Sequence, residues 1–509
     1  MRTQSAMSGR GIRSATVLLI GSVIILLAPL ASNLAVANGG SWGINAHTLY
    51  RAPALKSIGA QWVRVELQWK LVEASGKGRY NWTVADKTIT HYLNNGMHIV
   101  CILSVEQLNP LYADAAQDKV AISAAIARWM GATAAHFAGK NIVWEIGNEP
   151  EVFPMGGYWN DAVTYTMMAK LSAKAIKQAD PAAKVAALSL AWMDRAYATA
   201  ALNAGLLSEG TIDYLSFHGY HRRTIEPESG LAEDIEWLRT KASQATPTGL
   251  KIPEVIDTET GYSLAAFESP KGINDWRTIV YSEEAQAAYL ARHFVEEMSL
   301  GIPISIWYKD MNGEKGFSLY YGDETSVKGL RPMGRAFRTL STLLPDSPAA
   351  LKNDRYPVSS ELIAGALTGK ATMPVTPAVI SRSFLRRNPS NQQELVIFIW
   401  NTVEAFDGKL LVSRNFSSEQ CFETWRDISS SDPVSIQSKV SITGLGPSAV
   451  QSIRAMSLPD GKPETAPQLD SSSNTFKSEL TISATPVPKI ILITLRPSPT
   501  APPAFRVTR

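Results

Sequence analysis

The stretch Asn141-Ile142-Val143-Trp144-Glu145-Ile146-Gly147-Asn148-Glu149-Pro150 orders the reading of the whole chain. Its first part is short and apolar, the pattern of a buried strand, and Gly147 and Pro150 punctuate its end. An amide and carboxylates therefore stand where a strand stops. The pattern returns at Ile252-Pro253-Glu254-Val255-Ile256-Asp257-Thr258-Glu259, which runs into Thr260-Gly261-Tyr262. Glu259 follows Glu149 by 110 residues, room for about three strand–helix units of a parallel barrel.

Working outward, residues 38–345 alternate apolar strand-like runs with amphipathic helical ones. The runs predict strands at Trp42–His47, Trp62–Leu67, His98–Leu103, Ile142–Ile146, Val185–Leu190, Tyr214–His218, Glu254–Glu259 and Ile304–Tyr308. The clearest predicted helices are Val120–Phe137, Ala162–Gln178, Glu283–Leu300 and Met333–Leu344. Such alternation implies a parallel sheet. Eight units in this length match an α/β fold of the (β/α)₈ TIM barrel type. A doubly wound open sheet is the rival, but no glycine fingerprint follows the first strand.

After Leu344-Pro345-Asp346-Ser347-Pro348 the texture changes to short β-type runs, at Leu395–Trp400, Lys409–Val412, Val440–Ile442 and Ile490–Leu495. Residues 346–495 therefore read as a C-terminal antiparallel β-sandwich, and the Pro-rich 496–509 as a disordered tail. At the other end, Arg2, Arg10 and Arg13 precede the apolar run Ala15 to Leu30, and Ala35-Val36-Ala37 offers a small-x-small cleavage site. Residues 1–37 thus read as a signal peptide. The expectation is export, to the periplasm or beyond, with no stable membrane insertion of the mature chain.

Composition narrows the partners. With 45% hydrophobic and 19% charged residues, the chain is an ordinary globular protein. Its formal net charge of +3 is carried by the three arginines of the leader, so the remainder is neutral. A neutral chain argues against nucleic acid as a partner. Cys101 and Cys421 lie in unlike parts of the sequence, which argues against a bond between them. No Cys/His cluster has metal-ligand spacing, and no metal or cofactor is implied.

In a barrel of this kind the working residues sit at the C-terminal ends of the strands. Those ends carry Asn45 and His47, Arg64 and Glu66, Ser104, Asn148 and Glu149, His218 and Tyr220, Glu259, and Trp307 and Tyr308. Glu149 and Glu259 make a catalytic pair: one acid to donate a proton, one carboxylate to stay ionised beside a cation such as Arg64. Glu66 shares the face of Arg64 if the strand is regular, Asp257 supports Glu259 from two residues away, and Glu145 reads as structural. Trp69, Trp159, Trp192 and Trp276 fall in predicted loops, where indoles either stack on pyranose rings or pack beneath the loop.

Asn148-Glu149-Pro150 at the fourth strand and Glu259 at the seventh resemble the clan A glycoside hydrolases, most closely the family 39 group, with families 5 and 30 near. Gly59-Ala60-Gln61-Trp62-Val63-Arg64-Val65, then Trp69-Lys70-Leu71-Val72-Glu73 and Gly78-Arg79-Tyr80-Asn81-Trp82, resemble the second unit of those enzymes. The resemblance covers about residues 40–345. It implies a retaining glycosidase with Glu149 as acid/base and Glu259 as nucleophile. Asn148 would bind the sugar 2-hydroxyl, Arg64 would orient Glu259, Tyr220 of His218-Gly219-Tyr220 would donate to Glu259, and Trp307 would form the sugar-stacking floor. His47 and His218 join the expected substrate-binding set. The implied substrate is an oligo- or polysaccharide, and the tryptophans in predicted loops point to internal cleavage. An exo-acting xylosidase-type enzyme and a non-catalytic carbohydrate-binding barrel are the alternatives. Gly147 departs from the bulky residue that many relatives carry before Asn-Glu-Pro. Ser104-Val105-Glu106 lacks the His-Asp type of sugar-binding pair.

Overall fold

The computed structural model describes residues 40–46, 51–152, 161–220, 230–264, 279–280, 282–311, 315–323, 326–363, 378–403, 405–406, 409–416, 421–427, 435–470 and 477–497. Eight parallel strands close into a barrel in sequence order: β1 (Trp42–Asn45), β2 (Trp62–Gln68), β3 (His98–Ser104), β4 (Val143–Ile146), β5 (Lys184–Leu190), β6 (Tyr214–His218), β7 (Glu254–Thr260) and β8 (Ser305–Trp307). The last closes on the first through Trp42 opposite Ser305 and Ile44 opposite Trp307. All eight strands lie where the apolar runs place them, with ends shifted by up to two residues.

Helices fill the crossovers: α1 (Ala52–Ser57), α2 (Thr83–Asn94), α3 (Lys119–His136), α4 (Ala162–Ala179), α5 (Arg195–Asn203), α6 (Leu231–Ala245), α7 (Glu283–Ser299) and α8 (Pro332–Leu343). Their starts are written locally. Asp118 accepts the amides of Val120 and Ala121, and Asp194 those of Ala196 and Tyr197. Ser282 caps α7 and is followed by Glu283 and Glu284, whose charge suits the positive end of the helix. The strands divide their side chains by alternation. Val63, Val65 and Leu67 of β2 join the apolar layer under the helices, while Arg64 points into the barrel.

Beyond α8 the chain builds antiparallel sheets, as the change of texture predicts. A five-stranded sheet contains the strands 379–387, 393–401, 489–495, 450–457 and 462–464, and a four-stranded sheet covers one of its faces. The strand Gln393–Asn401 is buried along nearly its whole length because it separates two cores. Leu395, Ile397 and Ile399 face Val440, Ile442, Leu480 and Ile482 of the other sheet. Val396, Phe398 and Trp400 belong to the core that continues into the barrel helices. Helix α7 is thereby covered on both sides. Residues 285–298 are all buried, including Arg292, His293, Glu296 and Glu297. Arg292 spends its donors on the carbonyls of Asn401 and Pro486, and Glu296 pairs with Arg382. Cys101 is buried and free in β3. Among the described residues no helix is long and apolar enough to cross a membrane.

Candidate active site

Arg64 is the hub of the barrel mouth. It is 1% exposed, and each of its nitrogens is committed. Nε donates to Glu145 at 2.7 Å, Nη1 to Glu259 at 2.5 Å and Nη2 to Asn148 at 2.8 Å. Burial alone would lower the affinity of the guanidinium for its proton, but Glu145 and Glu259 outweigh it and hold the charge firmly. Glu145 lies wholly buried in β4 and also accepts from Thr258 Oγ1 at 2.6 Å. Burial pushes its carboxyl up, yet the Arg64 charge, helped by the Thr258 hydroxyl, brings it below the ordinary value.

Glu259 reaches the same hub through a break in the strand. Between β6 and β7, Phe217 pairs with Asp257 and His218 with Glu259, so β7 carries one extra residue, Thr258. This β-bulge cancels the alternation of faces. Thr258 and Glu259 both point into the barrel, one to Glu145 and the other to Arg64. Glu259 receives two further bonds, from Tyr220 Oη at 3.0 Å and from Asn45 Nδ2 at 3.3 Å. Burial and the Glu259 charge push the Tyr220 phenol well above its ordinary value, so it stays a donor.

Glu149 arrives differently. Gly147 and Glu149 both take left-handed backbone, φ +77° and +44°, in the turn that ends β4. Nothing within 4 Å would meet a Cβ at Gly147, so glycine stands there for its backbone freedom. Glu149 tolerates the same region at some cost in strain, a pattern that gathers at functional sites. Its amide is tied to the Ser189 carbonyl at 2.8 Å. Its Oε1 lies 2.7 Å from His218 Nδ1. The other ring nitrogen of His218 faces Arg64 Nη2 at 3.3 Å. A guanidinium only donates, so Nε2 accepts and the ring hydrogen sits on Nδ1, donating to Glu149. Burial first, then Arg64, pulls the His218 pKa down to about 4, which keeps the ring neutral.

The two carboxyl groups meet over the barrel axis. One oxygen of Glu149, one of Glu259 and a ring nitrogen of His218 lie within 4.8 Å of one another. His218 has both nitrogens engaged and Arg64 already balances Glu259, so this constellation is built for a hydrogen-bonded pair rather than an ion. A second group with metal-capable atoms, Asp257, His293 and Glu297, lies buried behind β7. Two more carboxyls flank Glu149. Glu106 accepts from Asn148 Nδ2 at 2.9 Å and is pushed up to about 7 by burial and then by Glu66. Glu151 accepts the Ala191 amide at 2.6 Å and is pushed up to about 8, chiefly by burial.

The structure brings Arg64, Asn148, Glu149, His218, Tyr220 and Glu259 together, but one residue expected among them is elsewhere. Trp307 is fully buried on the outer face of β8, with Nε1 against Met333 Sδ and its ring against Phe294 and Tyr262. It cannot floor a sugar site. Alternation sends Ile306 into the barrel and returns the next inward place to Tyr308, half-buried and near enough to Tyr220 to raise its pKa. Trp69 is likewise buried, packed on Tyr112 and Trp129. Trp192 is half-buried. His47, Trp159 and Trp276 lie outside the described residues. Glu66 stays on the face of Arg64 but stands exposed. Glu145, taken from its sequence as structural, proves to be the partner that fixes Arg64. Its signal was a carboxylate inside an apolar strand, which always needs a cation or donor. Asn45 shows in the sequence as a polar strand end, whereas Glu106 and Thr258 give no comparable sign.

No protein-family model and no curated protein sequence matches the chain. Solved structures do match. A family 39 glycoside hydrolase from Bacteroides cellulosilyticus WH2 superposes with a TM-score of 0.58 at 15% identity, covering 90% of this chain and 81% of that one. The chain shares the barrel-and-sandwich fold of that enzyme. A glucosidase from Croceicoccus marinus gives 0.53 at 13% identity, covering 91% and 97%. A monomeric beta-xylosidase from Caulobacter crescentus CB15 gives 0.51 at 14%, covering 91% and 96%. These likenesses establish the fold. The last two are named for different sugars, so the fold does not choose a substrate.

Proposed function

We propose that the chain is an exported retaining β-glycosidase that hydrolyses O-glycosidic bonds of a polysaccharide by double displacement. The observation that carries the reading is the approach of Glu149 and Glu259 to within 4.8 Å, oxygen to oxygen. Retaining glycosidases hold their carboxyls about 5–5.5 Å apart, whereas inverting enzymes leave room for a water between them. The donor sets of the two groups support distinct roles. Glu259 receives Arg64, Tyr220 and Asn45, the surroundings of a carboxylate kept ionised to attack.

In the first step a Glu259 oxygen forms a bond to the anomeric carbon as the glycosidic C–O bond breaks. Glu149 passes its proton to the departing oxygen. In the second step water attacks the anomeric carbon, Glu149 takes a proton from it, and Glu259 leaves as carboxylate. Asn148, its Oδ1 held by Arg64 and its Nδ2 shared with Glu106, meets the 2-hydroxyl. Tyr308 replaces Trp307 as the ring beneath the sugar. The barrel of residues 38–345 carries the chemistry. The 346–495 sheets serve as an accessory layer, and residues 1–37 direct export.

Trapping tests the reading. Dinitrophenyl 2-fluoro-glycosides of the gluco and xylo series are incubated with the protein, and the labelled peptide is sequenced by mass spectrometry. The expected result is one covalent adduct on Glu259, and digestion of a soluble glycan panel yielding oligomers of mixed length. An adduct elsewhere refutes the assignment of the nucleophile. Monosaccharide as the sole early product refutes internal cleavage.

A further inference from the structure

Behind the β7 bulge lies a group of side chains that the proposed chemistry does not use. Asp257, His293 and Glu297 are all fully buried. His293 and Glu297 stand one turn apart on α7, and His293 Nε2 lies 3.1 Å from Asp257 Oδ2 and 3.4 Å from Glu297 Oε1. Alternation in a regular strand would put Asp257 on the same face as Glu259. The extra residue at Thr258 turns it outward instead, toward the helix.

There Asp257 does what the interrupted ladder cannot. Its Oδ1 accepts the backbone amide of Glu259 at 3.0 Å and that of Gly219, on the neighbouring strand end, at 3.2 Å. The first bond closes a local turn of the Asx kind across the bulge. The second ties the bulge to the segment that carries Tyr220. One carboxylate thus clamps the two chain segments whose side chains meet at the Glu259 carboxyl. Room for the clamp has been made on purpose: a Cβ at Gly219 would stand 2.3 Å from Asp257 Oδ2 and 2.7 Å from His293 Cε1. The edge of Trp307 closes the pocket over His293, with ring centroids 6.3 Å apart. Burial works against a charge on His293, but Glu297 and Asp257 outweigh it and carry its pKa to about 10. Its Nε2–H donates to Asp257 Oδ2, and Glu297 stands beside the same nitrogen as a charge.

We propose that Asp257, His293 and Glu297 form a positioning device that holds the β7 bulge and so aims the Glu259 carboxylate at Arg64 and Tyr220. The reaction served rests on the reading of Glu259 as nucleophile; the aiming itself does not. A carboxylate displaced by about 1 Å loses a near-attack geometry, and such losses cost up to about a hundredfold in rate. None of the three side chains touches substrate, so each acts through Glu259.

Two readouts on the full chain test this. Crystal structures of Asp257→Ala and His293→Leu need no substrate. The expected result in either is a β7 end in which Glu259 no longer contacts both Arg64 and Tyr220. Glu259 bonded to both in both variants overturns the proposal. If Asp257→Ala does not fold, His293→Leu alone decides. Kinetics with nitrophenyl β-glucoside and β-xyloside supply the second readout. His293→Leu is expected to lower kcat about tenfold or more while KM stays within roughly threefold. His293→Gln, whose amide N–H reaches toward Oδ2, should recover to within about threefold of the parent rate. Equal losses in the Leu and Gln variants mean that packing, not the donor, matters, and overturn the proposal. A parent protein that neither turns over these glycosides, nor is trapped, nor cuts any glycan of the panel refutes the glycosidase reading, and the crystal structures still decide the positioning.

Discussion

His218 Nδ1 donates to Glu149 Oε1 across 2.7 Å while its Nε2 accepts from Arg64 at 3.3 Å. One neutral imidazole therefore joins the two sides of the site, the acid/base on one hand and, through Arg64, the nucleophile on the other. Protonation would put an N–H against the guanidinium and break the link.

Stability should therefore fall on the acid side. An unfolded histidine takes its proton near pH 6.5, whereas buried His218 resists it down to about pH 4. Between those values the unfolded chain binds more protons, so stability drops as pH falls through that window. At about 1.4 kcal/mol per unit, the contribution at stake is about 3 kcal/mol. His293 acts in the opposite sense. Its pKa is raised to about 10, so its contribution is full below about pH 6.5 and is lost as pH rises toward 10. Urea denaturation across pH should show both limbs. His218→Gln should flatten the acid limb only, and an unchanged acid slope in that variant contradicts the assignment.

Arg64→Met should destabilise the fold by roughly 3–5 kcal/mol, because it strands Glu145 as a buried charge without a cation. Adding Glu145→Met should restore much of that loss without restoring turnover. The two changes are coupled through one contact, so their costs should not add. Additive denaturation energies would show that Glu145 finds another partner.

Glu149→Ala should slow glycosides with poor leaving groups by about 10²–10⁴, and dinitrophenyl glycosides far less in their first step, since only the former need a proton on departure. Initial rates over a series of aryl leaving groups measure this. A uniform slowing across the series rules out the acid role.

Gly147→Ala and Gly219→Ala should differ. Gly147 needs its φ of +77° but has open space, so alanine costs about 1–2 kcal/mol of conformational strain. At Gly219 the backbone is ordinary and the space is taken by Asp257 and His293, so alanine forces the clamp apart and should cost activity as well. Melting temperatures and turnover of the two variants, side by side, separate the causes. Equal effects in both would show that neither backbone freedom nor close approach governs these positions.

Much of this was legible in the chain. Alternating apolar runs placed all eight barrel strands, since each buries one face under the helices and the other inside the barrel, and the caps at Asp118, Asp194 and Ser282 mark helix starts that need no tertiary partner. Glu149, Asn148, Arg64, His218, Tyr220 and Glu259 were visible as polar groups at strand ends. Trp307 was misplaced because a period of two says that neighbours take opposite faces but not which face is inside.

What sequence alone determined, then, is the order of strands and helices and the level at which polar side chains emerge, because these follow from local periodicity. Tertiary structure decided where the side chains point. The bulge at Thr258 turned Glu259 inward and Asp257 outward, the left-handed turn at Gly147 and Glu149 swung the second carboxylate over the axis, and closure of the ring joined Arg64 to Glu145. Such choices depend on the register between strands and on charges that can be buried only against one another, and neither is written in any single segment of the chain.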